Sequence, residues 1–486
     1  MNTRQAVFWC AVVLLVLAVS QGQGGQNIWH VDAQASPGGD GSTWATAFAN
    51  LHDALNAAAD IADPNDEVIW VAAGPYKPAV QTDPDDTRTA TFEIADGVAL
   101  FGGFAGDETS LDERDVNANP TILSGDLAGD DGPNFTNRGD NVYHVVTINT
   151  TAEVELNGLT IQGGSATGDS FEHQNGGGVM RTQLFEQQPH ILSQCKLTDN
   201  EALSGGATAH GPFEIDRCIF SGNRALAIKG ADGIGGAVFV GGQKQLSRQF
   251  TNCLFINNSA SFGGAVAGVY GGYEMFNCTV VGNTAETFAG GLGISGPGAI
   301  LVLHNTIVWG NSAGQPISDE SNQFWAPLPS TQFTPVTHCC IQDWSGVHNS
   351  ESIITDDPMF VDGIGADGLA WSGDENVRLH ADSPCIDAGD NDMVPAGIFS
   401  DLDGNARVVD GNGDEVSTVD LGTYEFQPAS DTPGDIDGDN DVDIQDLLEL
   451  LGTWGACANP KDCPSDLDHD DAVGIGDLLI LLAYWG

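Results

Sequence analysis

Near the C-terminus, carboxylates fill alternate positions in two stretches, GDIDGDNDVDIQDLLELLGTWG (434–455) and SDLDHDDAVGIGDLLILLAYWG (465–486), which start 31 residues apart. A twelve-residue calcium loop places oxygen ligands at positions 1, 3, 5, 7, 9 and 12, position 7 through its backbone carbonyl. Counted from Asp435, the ligands are Asp437, Asp439, the carbonyl of Asp441, Asp443 and Asp446. Counted from Asp466, they are Asp468, Asp470, the carbonyl of Ala472, Gly474 and Asp477. Gly474 has no side chain, so a water serves there and the second site is expected to bind less firmly. The sixth position favours a sharp turn and holds Asn440 and Asp471, two residue types that tolerate left-handed backbone. The pattern predicts two Ca2+ ions, and no organic cofactor is expected.

A different chemistry needs a different set. A glycosidase requires two carboxyls at a defined separation, and a lyase requires a base with positive charge to hold an acidic glycan. The candidates are Asp169, Glu172 and His173 in ATGDSFEHQNGGG, with His210 and Glu214 in TAHGPFEID one repeat later, expected to share an edge. Polar side chains on loops are usually just solvated, and that reading takes precedence over catalysis. No cluster pairs acids with the Arg and Lys that a pectate groove would want. Asp401, Asp403 and Asn405, then Asp410, Asn412 and Asp414, also alternate. Neither run has an acid at its twelfth position, so both read as Asx turns.

The elements that must carry these groups repeat. CKLTDNEALSGGA at 195, CIFSGNRALA…GGA at 218, CLFINNSASFGGA at 253 and CTVVGNTAETFAGG at 278 share a frame, with Asn200, Asn223, Asn258 and Asn283 five residues after each cysteine. Degenerate copies start at Asn157 and His304. Spacings of 23, 35 and 25 residues with short alternating apolar segments predict one β-solenoid coil per copy. Stacked coils align equivalent residues in columns. Asn suits a bend column, through its tolerance of left-handed backbone and its amide bonds to the copies on either side. Gly-Gly suits a second corner, and the cysteines suit a buried column that stays reduced. The longest spacing predicts an outward loop in AIKGADGIGG or GGQKQLSRQF. Upstream, Phe48, Leu51, Leu55 and Ala58 predict an amphipathic helix, capped by Ser42 or Thr43, that closes the first coil. At the other end, DLLELLGTWG and DLLILLAYWG predict a short helix after each acidic loop, with Pro rather than a helix before it.

The charge balance limits the partners. Lys and Arg number 15 against 68 acids, a formal charge of −53 that would repel nucleic acid and anionic membranes. Arg4, the apolar run from Ala6 to Val19 and the Ala18-Val19-Ser20 pattern predict a signal peptide over residues 1–20. The mature chain is then expected to be secreted or at the cell surface, with no membrane span. Removing Cys10 leaves nine of the ten cysteines, so a fully paired monomer is excluded.

The stretches GGDGSTWATAFANLHDALNAAA, EVIWVAAGPYKP, GVALFGGFAGDETSLDERD, NPTILSGD and the GGA coils resemble secreted right-handed parallel β-helix proteins of the pectin-lyase-like superfamily, with repeats similar to polymorphic outer-membrane proteins. Residues 356–427 resemble the closing segment called choice-of-anchor Q. The paired acidic loops and leucine helices resemble a type I dockerin. These resemblances imply an all-β right-handed parallel β-helix over 28–427, a linker over 428–433 and a small α-helical calcium module over 434–486. They also imply binding or breakdown of extracellular polysaccharide, by a polysaccharide lyase or glycoside hydrolase if the chain is an enzyme; a non-catalytic adhesin or surface-structural protein is the alternative. A cohesin-like or cell-surface partner would engage residues 434–486. Dockerins usually carry Ser-Thr at loop positions 10 and 11 and basic residues soon after the last ligand. Here stand Ile444-Gln445 and Ile475-Gly476, then Leu451-Gly452 and Leu482-Ala483, which puts a cohesin in question. Cys457 and Cys463 flank the linker between the half-motifs and suit a local disulfide outside the cell.

Overall fold

The computed structural model describes residues 27–485 apart from 60–66, 183–188, 210–212, 228–229, 242–245, 317, 327–334, 347–349, 366–374, 429–433, 435, 437–441, 458–462 and 469–471. The expected signal peptide lies outside the described residues. The chain divides into one large unit, Met1–Val408 with Thr418–Glu425, and a small one, Val409–Ser417 with Phe426–Gly486.

Among the described residues of the large unit, successive coils visit three parallel sheets of 19, 6 and 8 strands. One coil reads Gly272–Phe276 and Thr279–Val281 in the long sheet, Thr284–Ala285 in the shortest, and Leu292–Ser295 in the third. The next repeats it in register, with Met275 beside Leu303, Val280 beside Val308 and Leu292 beside Phe324. This is a parallel β-helix. Alternation along each strand sends Leu192, Ile215, Phe250, Met275 and Leu303 into one continuous core and their neighbours outward.

The corners depart from the sequence reading in an informative way. Asn200, Asn223, Asn258 and Asn283 do form the expected ladder, extended by Asn311 and completed by Gln323. They do not, however, adopt left-handed backbone. That conformation falls one residue earlier, at Asp199, Gly222, Asn257 and Gly282, which frees each asparagine to point inward. A further left-handed column, unmarked by the repeat frame, bends the long sheet at Gln194, Arg217, Asn252, Asn277, Asn305 and His338. The Gly-Gly corner is as expected: Gly235 has φ +68°, and a Cβ on Gly236 would lie 2.0 Å from the Gly264 carbonyl oxygen of the next coil.

Cys195, Cys218, Cys253 and Cys278 are buried and reduced, and Cys339 continues their column after Thr306. Twelve residues separate Ala225 from Val238, against five between Ala260 and Val266, which places the extra loop mainly in AIKGADGIGG. The N-terminal helix α1 (Leu51–Ala59) buries Leu51, Ala54, Leu55 and Ala58 in the core beside Val31 and Ile69. Its cap differs from expectation. Asn50 Oδ1 accepts from the His52 amide, whereas Thr43 precedes a separate 3-10 turn, Trp44–Thr46, and makes no capping bond. A second short helix, α2 (Glu320–Gln323), delivers the terminal Gln323 to the ladder.

The closing segment runs along the flank of the long sheet. Phe360, Val377, Leu402 and Tyr424 pack on Ile219, Leu254, Ile256, Val281 and Trp309. The left-handed asparagines reach out to it: Asn252 Nδ2 donates to Ser400 O, Asn277 Nδ2 to Asp420 O and Asn305 Nδ2 to Asp390 O. The small unit contains helices α3 (Ile444–Gly452) and α4 (Ile475–Ala483), a two-residue antiparallel pair, and a core of Val442, Leu450, Val473 and Leu481. Cys457 and Cys463 are joined in a disulfide. Among the described residues, no helix is long and apolar enough to cross a membrane.

Candidate functional site

The acidic loops of the small unit are built twice on one plan. Asp446 Oδ1 accepts from the Ile436 amide and Oδ2 from the Asp443 amide. Thirty-one residues on, Asp477 Oδ1 accepts from Leu467 and Oδ2 from Gly474. Each last-position aspartate thus ties the loop's entrance to the first turn of its helix. Burial works against the Asp477 charge, but its backbone hydrogen bonds prevail and hold the carboxyl below its ordinary value. Asp466, Asp468 and Asp477 bring carboxylate oxygens within 4.8 Å of one another. Asp446, Asp466 and Asp477 are at most 4% exposed, and residues 431–486 contain fourteen acids and one lysine. An all-oxygen donor set of this kind would suit a hard cation such as Ca2+. Asp443, Ala472 and Gly474 sit at the helix entrances. Asp435, Asp437, Asp439, Asp441 and Asp470 lie outside the described residues.

The leucines divide between two roles. Leu450 and Leu481 form the core, while Ile444, Leu448 and Leu451 on α3, and Ile475, Leu479 and Leu482 on α4, are 49–69% exposed. The two stripes are equivalent under the same 31-residue shift. The motif alone suggests that the leucines only pack the helices together, but a core this small covers one face of each.

On the solenoid, the sequence candidates do not assemble. Glu172 and His173 lie in a 3-10 turn on the connection from Ser165–Ala166 to Val179–Arg181, with exposed Asp169 just before it. Glu214 stands on the long-sheet strand Phe213–Asp216. The third sheet intervenes between that connection and the next long-sheet strand, so they share no edge. His210 lies outside the described residues. His173 has a structural occupation, stacked on Tyr143 at 4.1 Å between centroids, with Arg88 over the same ring at 4.4 Å. In the second run Asn412 and Asp414 accept from the amides two residues on, at Asp414 and Val416, as Asx turns require, whereas Asp401 and Asp410 accept from Asn405 and Gly413, four and three residues on. Asp126, Asp130 and Asp140 also gather, but Asp126 and Asp140 are engaged by amides of their own loop.

A polar column escapes the sequence reading. Parallel register aligns Glu155, Ile191, Glu214, Gln249 and Glu274 on the outer face of the long sheet. Successive glutamates are two coils apart, roughly 9–10 Å between Cα atoms at the usual strand spacing. Burial raises the carboxyls of Glu155, Glu214 and Glu274 above the usual range. Arg114 joins the edge of this face, donating to Gly102 O, Asn157 Oδ1 and Gln194 Oε1, and burial lowers its guanidinium to about 10. Alternating Glu in FEID and YEMF was the available signal. The alignment itself depends on coil lengths that composition does not display.

No protein-family model matches the chain, and no curated protein matches it. Among solved structures, pectate lyase Pel9A aligns at 11% identity and a TM-score of 0.45, covering 83% of this chain and 98% of its own. An iota-carrageenase complexed to iota-carrageenan fragments aligns at 12% identity and 0.24, covering 60% of this chain and 57% of its own. Likenesses at this level say nothing about chemistry.

Proposed function

We propose that the chain is a secreted, polysaccharide-associated β-helix protein attached to a partner through a calcium-dependent, dockerin-like module. The observation that carries this reading is the doubled C-terminal plan, in which each acidic loop is tied to a helix whose outer stripe is apolar. Two ions would be held by the loops counted from Asp435 and Asp466. Calcium would offset the repulsion among the acids and so hold the helices in place. The partner would be a cohesin-like or cell-surface protein with an apolar face and a basic rim, complementary to the exposed leucines and surrounding carboxylates.

The solenoid would meet glycan along the outer column of Glu155, Glu214 and Glu274, whose carboxylates can accept hydrogen bonds from sugar hydroxyls. The separation of Glu214 from Glu172 and His173 favours the second reading, a non-catalytic adhesin, over a lyase or hydrolase. The deciding experiment passes the full chain over neutral and acidic polysaccharides in calcium, scoring retention together with release of reducing ends or unsaturated products. Retention without release supports the adhesin and release supports an enzyme. Neither, across the panel, defeats the glycan reading.

A further inference from the structure

Seven cysteines of the β-helix unit are reduced and buried, but they are not equivalent. The column from Cys195 to Cys278 sits on parallel strands, where neighbouring side chains point the same way and meet a disulfide's geometry poorly. Cys340 differs. Cys339 and Ile341 on either side face the core, so Cys340 faces outward, in register with Ile307 and Thr279. The flank segment lies on that face: Thr423 donates its amide to Thr279 Oγ1, and a Cβ added to Gly422 would lie 2.8 Å from Ile307 Cδ1. Leu421, adjoining both, donates its amide to Cys385 O. Cys340 and Cys385 therefore approach from two facing layers. Both are 0% exposed, and the Cys340 thiol donates to Asp356 O, at the start of the flank segment, at 3.5 Å.

We propose that Cys340 and Cys385 form a disulfide that fastens the flank segment to the β-helix. The oxidant is a low-molecular-weight disulfide such as oxidised glutathione, met outside the cytoplasm. One cysteine thiolate attacks it and expels one reduced thiol, leaving a mixed disulfide on the protein. The second cysteine thiolate attacks the protein sulfur of that bond and expels the other. Two protein thiols are oxidised, one external disulfide is reduced, and the two protons leave on the two small thiols. The neighbouring Cys385 side chain, and then burial, make the Cys340 thiol hard to ionise in the folded protein. Exchange therefore precedes seating of the segment, and the finished bond then locks it.

The test refolds the full chain in reduced and oxidised glutathione, blocks remaining thiols under denaturing conditions, and maps unreduced peptides by tandem mass spectrometry. The expected result is a linked pair containing Cys340 and Cys385, two hydrogens lighter than its parts, with Cys195, Cys218, Cys253, Cys278 and Cys339 blocked as thiols. Already folded, reduced protein exposed to the same oxidant gains the bond far more slowly. The variant Cys340→Ser leaves Cys385 blocked as a free thiol and makes residues 356–425 more sensitive to protease. Recovery of Cys340 and Cys385 both as thiols after oxidative refolding, or of either joined to another cysteine, overturns the proposal.

Discussion

Asn258 Oδ1 accepts from both the backbone amide of Asn223, at 2.9 Å, and its Nδ2, at 3.0 Å, although 35 residues separate the two. Asn258 Nδ2 in turn donates to Phe220 O and to Asn283 Oδ1. One side chain thus bonds to coils on both sides, with no solvent exposure.

Replacing Asn258 with Ala orphans two buried N–H groups of Asn223, its backbone amide and one hydrogen of Nδ2, while Asn283 Oδ1 keeps the backbone amide of residue 258. At about 1–3 kcal/mol for each of the two unsatisfied groups, a loss of about 2–6 kcal/mol is expected. Urea melts of the two proteins check this, and an Asn258→Ala variant as stable as the parent would mean that the ladder adds nothing.

Acid should loosen the β-helix through two histidines. Burial lowers His144 and His190 to about 4, so the fold holds both neutral. Their contribution is complete above the unfolded value of about 6.5 and disappears as pH falls from there toward 4, up to about 3 kcal/mol each. The raised carboxyls act in the opposite sense, favouring the fold as they take up protons. Urea midpoints across that interval should fall, and His144→Gln should flatten the profile.

Glu214→Gln separates binding from folding. Removing a charge that burial disfavours should leave stability unchanged or raise it by less than about 1 kcal/mol at neutral pH, given solvent screening. Retention on the responsive polysaccharide should drop severalfold. Unaltered retention would detach the column from glycan contact.

Calorimetric titration of the chelator-treated full chain should reveal two calcium sites, with Kd about 10⁻⁷–10⁻⁵ M if the loops resemble sensor-type sites. Asp446→Asn should weaken the first site and Asp477→Asn the second. Raising free calcium to about a hundred times Kd should stabilise the module by roughly 3 kcal/mol. No heat and no shift in its melting would remove calcium from the account.

Coil architecture was legible because alternation, the Asn frame and Gly-Gly recur at regular intervals, each a local consequence of packing. The left-handed residues were misplaced by one because the asparagine's inward bonds and its neighbour's backbone twist are sequence-adjacent demands. Ser42 and Thr43 have the residue types of a cap but lie ahead of a separate 3-10 turn, so the helix start falls to Asn50. The glutamate column and the Cys340–Cys385 approach are properties of stacking and of a segment folding back over 45 residues of chain. Neither has a local signature.

The flank segment also works as a gauge. Its contacts with Asn252, Asn277 and Asn305 touch three consecutive coils. A duplicated coil inserted before residue 246 would leave those anchor points in step, whereas one inserted between Cys253 and Cys278 would put them out of phase. A coil can therefore be added or removed ahead of these anchors without disturbing them, but not among them.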